Sequence, residues 1–204
     1  MASYSNAGQW SFWGGFSVLI AGSLVLLWLN AAPADKPAAP VTIDEERVMK
    51  YLDAICAIGP RISGTEGMTK QQKLIEKHFT GLGAKVRYQK FTGKQPRKKP
   101  VEMANMIVSY NPDAERRVIL CCHYDTRPIA DQENNPKRWK EPFVSANDGG
   151  SGVALLMELG HHMKGLKLNV GVDFVFFDGE EYIHDPSEDE SYYFLGSRHF
   201  ARED

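Results

Sequence analysis

Five residues of this chain have the types needed for acid–base or metal chemistry: His123, Asp125, Asp148, Glu180 and Glu181. Imidazole nitrogen and carboxylate oxygen are donors that zinc accepts. The richest stretch is DFVFFDGEEY, residues 173–182, where an apolar run empties into Asp178, Glu180 and Glu181. Adjacent carboxylates repel one another, and burying them is costly without a compensating cation. A solvated acidic loop would account for the acids blandly; a cation site would give them work. A metal-bound carboxylate is a poor base, so two neighbouring glutamates allow one to bind and the other to move protons. The remaining candidates come as His-Tyr-Asp at 123–125 and Asp-Gly-Gly at 148–150. Each short motif is a weak signal alone, and only their joint placement makes a strong one.

The placement follows from the pattern of elements. TIDEERVMKYLDAI begins a helix, with Thr42 and Glu45 matching a capping box and Val48, Tyr51, Leu52 and Ile55 at helical spacing. A second helix is expected over roughly 69–82, with Leu74, Ile75, Phe79 and Leu82 on one face. The period then changes to two. AKVRYQKFT, MANMIVSY and RRVILCCHYD read as three strands, the first two forming a hairpin. After a long polar loop, glycines at 149, 150 and 152 lead into a helix bearing Val153, Leu156, Leu159 and Met163. Residues 169–177 form a fourth strand, and the tail YFLGSRHFARED starts another helix. Strand, loop, helix, strand implies a parallel pair. The fold class is α/β, with a mixed, largely parallel central sheet flanked by helices. Ligands of such sheets collect beyond the carboxyl ends of the parallel strands. The three motifs fall on that edge.

Composition narrows the class. With 204 residues, 43% hydrophobic content and a formal net charge of -2, the chain suits a globular protein and gives no reason to expect nucleic acid as a partner. The basic run KQPRKKP, residues 94–100, reads as a solvated loop between two strands. Three cysteines, two of them adjacent, make neither a disulfide framework nor a zinc spacing, and are expected to be small buried residues. The first 34 residues carry no Lys, Arg, Asp or Glu, and residues 12–29 form an apolar run of about bilayer-spanning length flanked by tryptophans. Residues 1–30 are therefore expected to be a membrane anchor, with a cleaved signal peptide as the alternative. The catalytic part then lies outside the cytoplasm, or is secreted if the segment is removed. Residues 31–41 read as a stiff Pro/Ala linker and 42–204 as the catalytic part. Oligomeric state leaves no trace in the sequence.

CCHYDTRP, ANDGGSGVALLMELG, FVFFDGEEY and YFLGSRHFA together resemble the zinc aminopeptidase and glutaminyl cyclase superfamily, most of all its glutaminyl-peptide cyclotransferase branch. GPRISGTEG and the early helix share the likeness, which covers roughly residues 43–204. The resemblance implies that Asp148 and Glu181 bind zinc and that Glu180 is the general acid/base. It also implies that His123 binds a second zinc in two-metal aminopeptidases, supported by Asp125, whereas one-zinc cyclases keep that pair off the metal. The implied substrates are peptide or protein N-termini. A cyclase would close an N-terminal glutamine on itself with release of ammonia. An aminopeptidase would hydrolyse the first peptide bond.

Some features depart from the family pattern. A further histidine ligand is expected downstream, yet none of the other histidines follows a strand in the right place. The chain is therefore expected to be a fragment holding two zinc ligands and the base. His161 and His162 close a helix and are expected to be structural, and His78 to be exposed. The branch often pairs a cysteine with the position of Cys122, but the helix after Asp148 offers Val153 and Ala154. Two other readings remain: a non-catalytic ectodomain of the same fold, and a calcium loop in HDPSEDES, which lacks the required spacing and glycine.

Overall fold

The computed structural model describes residues 40–185 and 192–203. The apolar run at 12–29, the linker up to residue 39 and most of the HDPSEDES stretch lie outside the described residues. Among the described residues no helix is long and apolar enough to cross a membrane. Residues Val41–Asp204 form one unit with its own core.

Helix α1 (Glu45–Cys56) begins at Asp44, whose side chain accepts the Arg47 amide at 3.0 Å. The expected Thr42–Glu45 capping box is thus displaced by two residues. Packing decides the matter: the Asp44 amide donates to Glu158 at 3.1 Å, and Arg47 bonds both Glu158 oxygens at 2.6 Å, which docks this helix start on a distant helix. Helix α2 (Glu66–Gly81) starts three residues earlier than expected, capped by Thr65. Gly67 reads as loop from sequence, but a Cβ there would meet the Pro60 carbonyl oxygen at 2.1 Å, so glycine is what lets the helix start lie against the preceding turn.

Strands β1 (Lys85–Gly93) and β2 (Val101–Tyr110) form the expected antiparallel hairpin, with the basic run 94–100 as its solvent-facing loop. β3 (Arg117–His123) and β4 (Gly171–Phe177) run parallel, joined through helix α3 (Gly152–His162). The order is β1-β2-β4-β3, and β4 is antiparallel to β2. The sheet is therefore mixed, as expected, but only one of its three pairings is parallel among the described residues. The hairpin contributes one antiparallel pairing, and β4, lying beside β2, contributes the other.

Alternate residues of β4 divide its two faces. Val172, Phe174 and Phe176 enter the core with Ile55, Ile75, Phe79, Met106, Val108, Val153 and Met157 from α1, α2, β2 and α3. Phe177 faces the other side, where Phe200 of helix α4 (Leu195–Glu203) meets it edge-on at 5.6 Å. Among the described residues strand β3 pairs with β4 alone, and its Val118 and Ile119 are 46% and 48% exposed despite the apolar sequence. Cys121 is likewise exposed, contrary to expectation, because its strand has no neighbour on the outer side among the described residues. Cys122 is half-buried against the backbone of Gly152, and all three cysteines are free.

Candidate metal centre

The parallel register sets the site. His123, the last residue of β3, lies opposite Phe177, the last residue of β4, and the Tyr124 amide donates to the Phe177 carbonyl at 3.1 Å. The chain segments carrying Asp125 and the Glu180–Glu181 pair therefore leave the sheet at one level. Gly179, at φ 64°, supplies the turn that a side chain would oppose.

Asp125 ties these segments together. Its carboxylate is 1% exposed, and its two oxygens accept the backbone amides of Glu180 at 3.1 Å and Glu181 at 3.0 Å. Both oxygens are thus committed to fixing the glutamate backbone. Asp125 thus braces the backbone of both glutamates.

Asp148 approaches from the entry to α3. The segment Asn147–Ser151 is a widened turn in which Asp148 is extended and Gly149 adopts φ 76°. A Cβ on Gly149 would meet the Asp125 carbonyl oxygen at 2.5 Å and the His123 ring at 3.2 Å, so glycine at this point lets the Asp148 loop close on the histidine. Asp148 Oδ1 lies 3.0 Å from His123 Nε2. On the ring's other side, Nδ1 is 3.6 Å from Asp125 and 3.8 Å from Glu180, too far for a hydrogen bond, and is buried without a partner. A cleft of about 480 Å³ opens here between His123, Asn147, Asp148 and Ser151.

The electrostatics follow from crowding. Burial pulls His123 down, but Asp125, Glu180 and Asp148 outweigh it and raise the imidazole to about 9. Burial raises Glu180, and His123 opposes that rise. Burial lifts Glu181 to about 7, with Arg127 pulling the other way. This edge is a concentration of negative charge held together by one histidine and one arginine. Such a site has room for an added cation.

Three further residues belong to the site although the sequence reading did not place them there. Arg127 donates from Nε to Glu181 at 2.9 Å and from Nη1 to Asp131 at 2.9 Å. Asp178 is fully buried and accepts from the Ser63 hydroxyl at 2.6 Å and the Ala104 amide at 3.0 Å, which pins the SGTEG loop beneath the site. Burial raises its carboxyl, with Asp125 adding to the effect. Arg61, also fully buried, bonds the carbonyls of Val144 and Ser145 and so shapes the approach to Asp148. An Arg four residues before an Asp, and an acid opening the DGEE motif, were the available signals. Nothing local marked Arg61.

The other histidines stay away from this edge. His78 is not exposed as expected: its Nε2 lies 2.8 Å from the Met157 carbonyl oxygen, and its ring packs on Tyr51 and His161. His162 pairs with Glu158 at 3.2 Å, and His199 stacks on Phe91. Among the described residues no three His, Cys, Asp or Glu side chains surround a single point. The fit to zinc is one of donor types alone: a buried imidazole nitrogen without a hydrogen-bond partner, carboxylates on both sides of the ring, and a glycine at the close approach.

Residues 105–204 match Peptidase family M28. Among curated proteins, a glutaminyl-peptide cyclotransferase of Drosophila melanogaster is 30% identical over 70% of this chain and 39% of its own length. Among solved structures, a glutaminyl cyclase of Fimbriiglobus ruber is 53% identical, with a TM-score of 0.77 over 84% of this chain and 59% of its own. A Zn-dependent exopeptidase of Parabacteroides distasonis is 28% identical, with a TM-score of 0.72 over 81% of this chain and 57% of its own. The chain thus spans about two-fifths of that curated relative and under three-fifths of those solved chains. Motifs, fold and matches together support the zinc exopeptidase and glutaminyl cyclase superfamily.

Proposed function

We propose that the chain is part of a zinc-dependent enzyme that cyclises N-terminal glutamine of peptides or proteins, releasing ammonia. The observation that carries this reading is the bracing of Glu180 and Glu181 by the two oxygens of Asp125, opposite Asp148 across His123. The similarity to the Fimbriiglobus ruber glutaminyl cyclase supports the cyclase over other chemistries of the superfamily.

Asp148 and Glu181 would hold the metal, and His123 would join if a second ion bound. Bound zinc would supply Lewis-acid polarisation of an amide carbonyl. Glu180 is placed to carry protons: its backbone amide is fixed by Asp125, its side chain is 28% exposed, and burial raises its carboxyl. In cyclisation the α-amine nitrogen attacks the side-chain amide carbon, the bond to the amide nitrogen breaks, and ammonia leaves. Glu180 accepts the proton lost by the amine and delivers it to the departing nitrogen. No base outside the protein is needed, because one proton is taken and one returned.

The aminopeptidase reading has its own support in the match to Peptidase family M28 and in a leucine aminopeptidase precursor of Bacteroides thetaiotaomicron, 28% identical with a TM-score of 0.75. There Glu180 would activate water instead. We further propose that the charge-free apolar run at 12–29 anchors the catalytic part to a membrane, outside the cytoplasm. The deciding experiment offers the zinc-supplied protein an N-terminal glutaminyl peptide and an aminoacyl anilide side by side. Ammonia release from the first supports the cyclase; cleavage of the second alone overturns it in favour of the peptidase.

A further inference from the structure

Glu181 has two restraints, both supplied by the loop that follows β3. Its backbone amide is held by Asp125, and its Oε1 accepts Arg127 Nε at 2.9 Å. Arg127 is itself fixed through Nη1 to Asp131, four residues on, at 2.9 Å. All three side chains are largely buried: Glu181 is 3% exposed, Asp131 10% and Arg127 20%. Arg127 thus engages Oε1, one of the two carboxylate oxygens of Glu181. We infer that Arg127 is a positioning residue for Glu181, fixing one carboxylate oxygen so that the other is presented to a divalent cation. This rests on Glu181 being a metal ligand.

The physical argument is one of preorganisation. A glutamate side chain has three rotatable torsions, and ordering it at the moment of metal binding weakens affinity. A guanidinium fork held at its far side by Asp131 fixes the carboxylate plane beforehand. It also supplies the counter-charge that allows a buried acid to stay in place before the cation arrives. A point charge could supply the second service but not the first. Lysine therefore separates the two roles, since it keeps the charge and cannot span Glu181 and Asp131 with a rigid fork.

The test is zinc affinity, measured by competition with a chromogenic chelator, on the full chain and its variants, with melting temperature recorded alongside. Arg127→Gln is expected to weaken zinc about tenfold to a hundredfold, the usual effect of losing a residue that orients a ligand. Arg127→Lys should recover only part of that loss, and Asp131→Asn should lose severalfold. Unchanged zinc affinity in Arg127→Gln, or full recovery in Arg127→Lys, overturns the positioning role. Should Arg127→Gln fail to fold, Asp131→Asn decides alone: a severalfold loss supports the inference, and wild-type affinity overturns it. Asp148→Ala is the control for the underlying reading. If it loses zinc while Arg127→Gln does not, the metal site stands and this inference falls. If the unaltered chain binds no zinc, both fall.

Discussion

At the scale of single residues, the site depends on a few atoms with no spare freedom. Gly149 is the plainest case. Its positive φ and the 2.5 Å approach to the Asp125 carbonyl oxygen leave no place for a methyl group. Gly149→Ala is expected to lower stability by about 1–3 kcal/mol, read as a fall in urea midpoint, and to weaken zinc binding by displacing Asp148. Glu180 is vulnerable in a different way. Glu180→Gln removes the proton carrier and keeps the shape, so turnover should fall about a hundredfold or more with zinc still bound, as steady-state rates and metal analysis would show. Equal rates for variant and wild type would remove Glu180 from the chemistry. These five candidate residues were legible in the sequence because their types and order are informative without coordinates. The division between brace and reactant was not. Asp125 and Glu180 are both acids, and only the structure shows that one is buried and occupied with backbone amides while the other keeps a partly exposed side chain.

At the scale of elements, the parallel register of β3 and β4 brings two distant motifs to one level, and the turn before α3 brings the third. The hairpin, the parallel pair and the four α-helices among the described residues could be read from sequence patterns. Helix starts could not. Thr42 and Asp44 are both good caps, and the choice of Asp44 comes from a contact with Glu158, 114 residues away. The exposure of β3 was hidden for a related reason, since an apolar strand reads the same at a sheet's edge as at its centre. The α1–α3 junction gives a pH prediction. The Arg47 guanidinium holds the Glu158 carboxyl down at about 2, below its ordinary 4.5. Its folded value is depressed, so the stabilisation is present above the ordinary carboxylate range and is lost as pH falls from about 4.5 toward 2. Glu158→Gln should cost about 1–3 kcal/mol at neutral pH and much less near pH 2. Melting curves for both forms across that range should converge in acid; a gap that stays constant would contradict the assignment.

At the scale of the whole molecule, helices α1, α2 and α3 cover one face of the sheet and build the core, while the acidic edge lies beyond the strand ends where few apolar contacts are needed. This separation lets the edge tolerate a concentration of acids that a core could not. Two of the supporting groups, Arg61 and Asp178, nevertheless reach under the edge from buried positions, so the fold and the site share a foundation. The proposal stands or falls on this acidic edge being a zinc site formed by Asp148 and Glu181. The most direct measurement is zinc bound per chain after equilibrium dialysis for the wild type, Asp148→Ala and Glu180→Gln. Zinc should be retained by the wild type and by Glu180→Gln, and lost from Asp148→Ala. Equal zinc in all three, or none in the wild type, would contradict it.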